Sequence, residues 1–112
     1  MNRIWSTFLA VAVLITSLPA FAGVAGWTDY ASVIELTPTD QQRYQFRIRL
    51  KENPGGCKNI DTFYQDYDQP GSDKVFNVLL QAVISDKKVR VYMTGRCELK
   101  GYSEISAVTI AP

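Results

Sequence analysis

The stretch RYQFRIRLK, residues 43–51, alternates between polar and apolar side chains along its length. In an extended chain its apolar residues would share one side and its four cations the other. Such alternation predicts a β-strand with one face against a core. The cationic side can bind an anionic ligand or simply face solvent.

The rest of the chain has the same mainly β character, with one change of period. Strands are predicted over 27–37, 43–51, 57–67, 89–95 and 103–110. Spacings of three and four predict a helix over 73–86, with Ser72 or Asp73 as its N-cap. The apolar residues at these spacings are Val75, Phe76, Leu79, Ala82 and Val83. Five strands with a helix between the third and fourth match the Greek-key barrel called the OB-fold, and an open α+β sheet is the alternative.

Residues 1–22 are predicted to be a secretory signal peptide. Arg3 precedes an apolar run over residues 4–15, and Ala20-Phe21-Ala22 forms a small-x-small cleavage site. The alternative, a retained membrane anchor, is disfavoured because the run is too short to cross about 30 Å of hydrocarbon. The prediction is an exported protein, periplasmic or secreted, with no membrane insertion and a single OB-fold-like domain over 23–112.

The predicted exported part contains both cysteines of the chain, Cys57 and Cys97. An even number of cysteines in an oxidising compartment predicts one disulfide. A metal pair and a reactive thiol are the alternatives, but two isolated cysteines without histidine make a poor zinc site. Of 12 Lys and Arg residues only Arg3 lies in the leader, so 11 cations face 11 acids. This neutrality argues against nucleic-acid binding, which needs many phosphate-neutralising cations.

The sequence lacks the usual groups of a catalytic site. It has no histidine, no G-x-S-x-G and no phosphate-binding glycine loop. The closest group is a set of four carboxylates at Asp61, Asp66, Asp68 and Asp73. Carboxylates scattered through a polar loop are usually solvated. We therefore expect a protein that is not an enzyme and that holds no metal ion or cofactor.

Binding is better supported, because the predicted domain is rich in aromatic residues, among them Trp27, Tyr30 and Tyr102. Tyrosine offers an apolar face and a hydroxyl to sugars or protein surfaces, and about half of these rings are expected in the core. Tyr30 is one candidate ligand-binding residue. Arg47 is another, as an arginine of 43–51 that could reach an acidic sugar. The helix carries further apolar residues at Val78, Leu80 and Ile84, so it is either deeply buried or has a second neighbour, and the second alternative would mean an oligomer.

Several segments resemble the receptor-binding B subunits of bacterial AB5 toxins, particularly the subtilase cytotoxin and pertussis-like typhoid toxin type. WTDYASVIEL is similar to their opening strand, which begins with a Trp-Thr pair. VFNVLLQAVISDKKVRVYMTG and GYSEISAVTI are similar to their helix, the following V-R-[IV]-Y strand and the closing strand. The chain departs from these subunits in its cysteines, with Cys97 in the loop after the fourth strand.

The resemblance implies an OB-fold protomer, a homopentameric ring with helices around its pore, and binding of sialylated or related glycans. Nothing in the sequence identifies an A subunit, so a partner A subunit and a standalone protein without toxin activity are both open. In the subtilase type a serine of the first strand contacts the sugar. Ser32 lies near the corresponding position, and Asp29 lies in the adjoining segment, where the spacing is shorter than in that family.

Two functions follow as expectations. The first is a secreted glycan-binding module that forms a ring. The second is a periplasmic or secreted interaction or inhibitor protein on the same small barrel without sugar binding. Nucleic-acid binding through Arg43, Arg47 and Arg49 is a third hypothesis, which export and neutral charge disfavour.

Overall fold

Six β-strands and one α-helix make up the part of the chain described by the computed structural model, residues 23–112. The predicted signal peptide, 1–22, lies outside these described residues. The elements in chain order are β1 (Gly26–Trp27), β2 (Ala31–Pro38), β3 (Arg43–Ile48), β4 (Thr62–Asp66), α1 (Ser72–Ser85), β5 (Lys88–Met93) and β6 (Ser103–Ile110).

The strands close into a barrel. β2 pairs with β3 and β3 with β4, both antiparallel. β4 continues to β6 through a short parallel pairing, β6 pairs antiparallel with β5, and β5 pairs back to β2. Leaving aside the short β1, which adds to the edge of β5, this is the five-stranded order of an OB-fold. The predicted barrel is therefore confirmed, and the open α+β sheet is excluded.

The first predicted strand is broken, and the prediction of one strand over 27–37 is wrong at 28–30. Thr28 turns inwards there and is buried. Its N–H donates to the Val91 carbonyl at 2.9 Å, and its hydroxyl oxygen accepts the Val91 N–H at 3.1 Å. These bonds to β5 hold the break in place and leave Asp29 and Tyr30 exposed beside it.

Three other strands are shorter than predicted. β5 ends at Met93 instead of Gly95. β3 ends at Ile48 instead of Lys51. The strand expected over 57–67 begins only at Thr62, because the Asn59 side chain accepts the N–H groups of Asp61 and Thr62 at 3.1 and 2.8 Å. This turn delays strand pairing and leaves a long loop between β3 and β4.

The core confirms the interpretation of residues 43–51. Tyr44, Phe46 and Ile48 are completely or almost completely buried. Phe46 stacks on Phe63 of β4 with ring centroids 5.5 Å apart. Since every second residue of β3 points inwards, the cations between them must lie on the outer face.

Helix α1 packs on this core through Leu79 and Ala82, which are buried. Its N-cap is Gly71 in a left-handed conformation, so the predicted Ser72 or Asp73 cap is wrong. The Ser72 hydroxyl instead donates to the Tyr67 carbonyl at 2.7 Å. Within residues 23–112 no helix is long and apolar enough to span a membrane.

The core-facing side of α1 is narrower than predicted. Val83, expected on that side, is 45% exposed. It joins Leu80 and Ile84, which are also exposed, while Val78 is half-buried. We call Leu80, Val83 and Ile84 the helix patch.

The predicted disulfide between Cys57 and Cys97 is confirmed. It joins the β3–β4 loop to the β5–β6 loop across a sequence separation of 40 residues. On the chain-entropy view, closing a loop of this length contributes about 4 kcal/mol to stability. The disulfide therefore fixes two long loops of a small domain against each other.

A chain of buried and half-buried polar side chains runs from β3 to the start of the β5–β6 loop. The Tyr44 hydroxyl donates to Gln65 at 2.5 Å, and the Gln65 amide donates to Gln69 at 3.2 Å. Gln69 donates to Glu104 at 3.2 Å, and Glu104 also accepts the Thr94 hydroxyl at 2.8 Å. Because each buried side chain has a partner, the network can fix the loops around it at little desolvation cost.

Candidate functional site

A cleft of about 480 Å³ opens where β3 ends, beside the break between β1 and β2. Asp29 and Tyr30 form one wall. Arg49 and the segment that follows it form the other. The Arg49 N–H donates to the Ser32 carbonyl at 2.9 Å, so the backbone holds the two walls together. We call this depression the Tyr30 cleft.

An aromatic surface adjoins the Tyr30 cleft. The guanidinium carbon of Arg90 lies 4.6 Å from the Trp27 ring centroid and 5.3 Å from that of Tyr30. Tyr92 meets Trp27 edge-on at 5.4 Å. Trp27 and Tyr30 are 40% and 44% exposed. Cation–π attraction between the guanidinium and both rings stiffens an exposed apolar surface.

Arg90 is held without a matching acid within residues 23–112. It makes no ion pair there, and its Nε atom is buried with no hydrogen-bond partner. An unpaired buried donor costs free energy, so packing between the rings must offset that cost. The cation therefore supports the aromatic surface instead of neutralising a neighbour.

The cleft walls combine both signs of charge with an aromatic ring. Arg49 and Lys51 supply donors, while Asp29 and Glu52 supply acceptors. Arg49 has no ion-pair partner among the described residues. An open cleft with an aromatic wall and donors and acceptors suits a small polar ligand with an apolar face, such as a sugar.

The structure brings together some of the predicted ligand-binding residues. Asp29 and Tyr30 line the Tyr30 cleft. Ser32 does not line it; its side chain is half-buried, and its carbonyl accepts the Arg49 N–H. Arg47 lies outside it. Its guanidinium bonds to Asp61 at 3.1 Å and approaches Glu35 at 3.7 Å. The hydrogen bond that Arg47 donates to Asp61, followed by the negative charge of Asp61, raises the pKa of Arg47.

Arg49, Trp27 and Arg90 were not among the predicted sugar-binding residues, although Arg49 was part of the nucleic-acid hypothesis and Trp27 was one of the aromatic residues noted. The sequence does indicate that Arg49 faces outwards, since it continues the outer row of 43–51 past Ile48. Nothing in the sequence indicates that Arg90 contacts Trp27 and Tyr30, because this contact depends on how β1 is placed beside β5.

The acidic residues of the β4 region do not gather into one site. Asp61 pairs with Arg47, and Asp66 pairs with Arg43 at 3.4 Å. Across residues 23–112 no group of three or more His, Cys, Asp or Glu side chains is placed to hold a metal ion.

Comparison with other proteins gives a family but no described function. No curated protein and no solved structure matches the chain significantly. One family model matches residues 7–107, which is most of the chain. The chain therefore belongs to the family described as a family of unknown function, DUF5992.

Proposed function

We propose that this protein is a secreted, non-enzymatic binding module that recognises host or cell-surface glycans, sialylated ones among them, as a ring-shaped homo-oligomer. One observation carries the proposal: the exposed Tyr30 ring stands at the wall of an open cleft that also contains Arg49, a cation without an ion-pair partner within residues 23–112. The Cys57–Cys97 disulfide supports export, since such bonds persist in oxidising compartments.

Each wall has a separate role in this proposal. The apolar face of a sugar ring packs on Tyr30, whose ring is held by its cation–π contact with Arg90. Arg49 donates to a carboxylate or hydroxyl of the sugar, and charge-assisted hydrogen bonds of this kind are the stronger ones. Asp29 and Glu52 accept hydrogen bonds from sugar hydroxyls.

The oligomer is supported by the helix patch. Leu80, Val83 and Ile84 place three apolar side chains on the exposed side of α1. Spaced by three and four residues, they form a continuous stripe that a neighbouring subunit could cover. In the toxin subunits that this chain resembles, helices line the pore of the ring, and an exposed apolar stripe on α1 agrees with such a position.

A glycan array with the purified exported protein tests the binding proposal. We expect binding to a defined set of glycans, and at least a tenfold loss of affinity for Tyr30→Ala and for Arg49→Ala. Arg96→Ala is the matched control, because Arg96 is an exposed arginine that pairs with Glu98 away from the cleft. If the unsubstituted protein bound no glycan at high concentration, the proposal would be wrong.

Light scattering tests the ring separately. The expected mass is several times that of the protomer, and Ile84→Asp should reduce it to the protomer mass. Ser85→Asp introduces the same charge at the adjacent exposed position and should leave the mass unchanged. A monomer at all concentrations would contradict the ring but not the glycan site.

A protein-interaction or inhibitor role is the second candidate, because the helix patch could equally be covered by a different protein. Cross-linking in periplasmic extract followed by mass spectrometry distinguishes the two. A stoichiometric foreign partner that is lost with Ile84→Asp and kept with Tyr30→Ala would favour this role over the glycan receptor.

A further inference from the structure

The outer side of β3 lines three depressions in succession. At its C-terminal end Arg49 enters the Tyr30 cleft. A second depression, of about 120 Å³, lies between Gln45 and Arg47. A third, of about 370 Å³, lies between Arg43 and Gln45. Gln45 and Tyr102 line both the second and the third, so these two adjoin each other.

The floor of the second and third depressions is a regular piece of sheet. Thr37 of β2 pairs with Gln45, and Glu35 pairs with Arg47. The β2–β3 turn bounds this floor at one end, and the end of the β5–β6 loop, with Lys100 and Tyr102, bounds it at the side. In OB-folds extended ligands bind on the face of the second and third barrel strands, which are β3 and β4 here, between these two loops. Thr62 of β4, which pairs with Arg47, also lines the second depression.

The β5–β6 loop is anchored over this face and is not a loose flap. Tyr64 points outwards from β4 yet is buried. Burial followed by the nearby charge of Glu104 raises its pKa, and Arg96 and Glu98 of the loop are also close enough to act on it. Cys97 ties the same loop to the β3–β4 loop through the disulfide. A fixed wall favours binding because less ordering is needed when a ligand enters.

The charges along the middle of β3 are compensated. Arg47 is held by Asp61 and Glu35, and Arg43 by Asp66. Among the described residues, the cations of this surface without an ion-pair partner are Arg49, Lys51 and Lys100, which lie towards its two ends. A phosphate polymer needs many free cations to neutralise it, so nucleic acid does not fit this surface. Apart from these paired ions, the floor offers mainly amide and hydroxyl groups, from Gln45, Thr37 and Tyr102, which both donate and accept. Uncharged sugar units match such groups.

We propose that the outer side of β3 is one continuous binding track for an unbranched oligosaccharide chain. The Tyr30 cleft takes one end of the chain, and the Gln45–Tyr102 surface takes neutral sugar units further along. The run from Arg43 to Arg49 covers about 20 Å at 3.3 Å per residue, which is several times the width of one sugar ring. The inference rests on the proposed glycan function and adds the length of the ligand to it.

Two series of neutral chains test the track by isothermal titration: chito-oligosaccharides and N-acetyllactosamine oligomers, each of two, four and six sugars. We expect affinity to rise at least tenfold from the shortest to the longest chain in one series or both. Gln45→Ala and Tyr102→Ala should remove most of this gain while changing disaccharide binding less than twofold. Arg49→Ala should weaken every length.

Ser106→Ala, on an exposed position of β6, is the control for substitution of an outer strand residue. Melting temperatures close to that of the unsubstituted protein would show that Gln45→Ala and Tyr102→Ala still fold. If neither series gained affinity with length, the track would be wrong. A positive glycan array beside that result would leave the Tyr30 cleft as a short site, whereas an empty array would remove the proposed function itself.

Discussion

The two sides of β3 differ sharply although they alternate residue by residue. Tyr44, Phe46 and Ile48 on the inner side are at most 1% exposed, whereas Arg43, Gln45 and Arg47 on the outer side are half-buried. The inner residues contact rings and aliphatic groups of the core. The outer arginines form ion pairs with neighbouring carboxylates, and the outer side is otherwise in contact with polar groups and solvent. We infer that stability depends on the inner side, and that the outer side is free to specialise for binding.

Removing one inner ring is expected to have the largest effect. Phe46→Ala deletes a buried side chain that stacks on both Tyr44 and Phe63, and should lower the free energy of unfolding by about 3–5 kcal/mol. Gln45→Ala, one residue away on the outer side, should change it by less than about 0.5 kcal/mol. Urea denaturation measures both values. Similar losses for the two variants would contradict the division between the sides.

A smaller effect is expected where the inner side is polar. Tyr44→Phe keeps the ring but leaves the buried Gln65 oxygen without its donor, which should cost about 2 kcal/mol. The control is Tyr30→Phe, since this ring is exposed and its hydroxyl makes no hydrogen bond within residues 23–112. Denaturation curves for the two variants should therefore separate, and a Tyr30→Phe loss as large as that of Tyr44→Phe would contradict the role of the buried bond.

The contrast between a buried and an exposed side also explains which elements could be predicted from the sequence. Strict alternation identified β3, and the change of period identified α1, because both patterns reflect a single buried face. The break at Thr28 and the delayed start of β4 were missed, since a buried threonine hydroxyl and an asparagine turn depend on partners distant in the fold or on local side-chain bonds. The Gly71 cap was missed because serine and aspartate are the commoner choices.

The candidate site could be predicted only in part. Asp29 was proposed through the resemblance and Tyr30 for its aromatic ring, and the break in the first strand places both at one cleft. The sequence could not distinguish Arg47 from Arg49, since both belong to the same outer row. What separates them is the placement of Asp61 and Glu35 beside Arg47, which depends on strand register. Register between distant strands is not visible in a single sequence.

Alkaline pH should destabilise the folded protein gradually, because Tyr44 on the inner side of β3 is a buried ionisable group. Burial, followed by the nearby charge of Tyr67, raises the pKa of Tyr44 far above its usual value of 10. Above pH 10 the Tyr44 hydroxyl loses its proton in the unfolded chain but keeps it in the folded protein. The free energy of unfolding should therefore fall as pH rises, by about 1.4 kcal/mol between pH 8 and pH 11 for one such group.

Denaturation at a series of pH values measures this decline, and Tyr44→Phe should reduce it. Tyr64, whose pKa is also raised by burial and then by the charge of Glu104, contributes in the same direction, so part of the decline should remain in that variant. An identical pH dependence in the two proteins would contradict the assignment to Tyr44.

The smallest change in stability is expected for Arg47, on the outer side. Its partners Asp61 and Glu35 are partly exposed, and ion pairs of this kind add little to stability because water competes for both charges. Arg47→Ala should therefore leave the denaturation midpoint almost unchanged. Its effect should instead be on the ligand, because it leaves two carboxylates uncompensated in the middle of the track. Titration should show weaker binding of acidic glycans and nearly unchanged binding of neutral ones, whereas equal weakening of both would mean that Arg47 contacts the sugar directly.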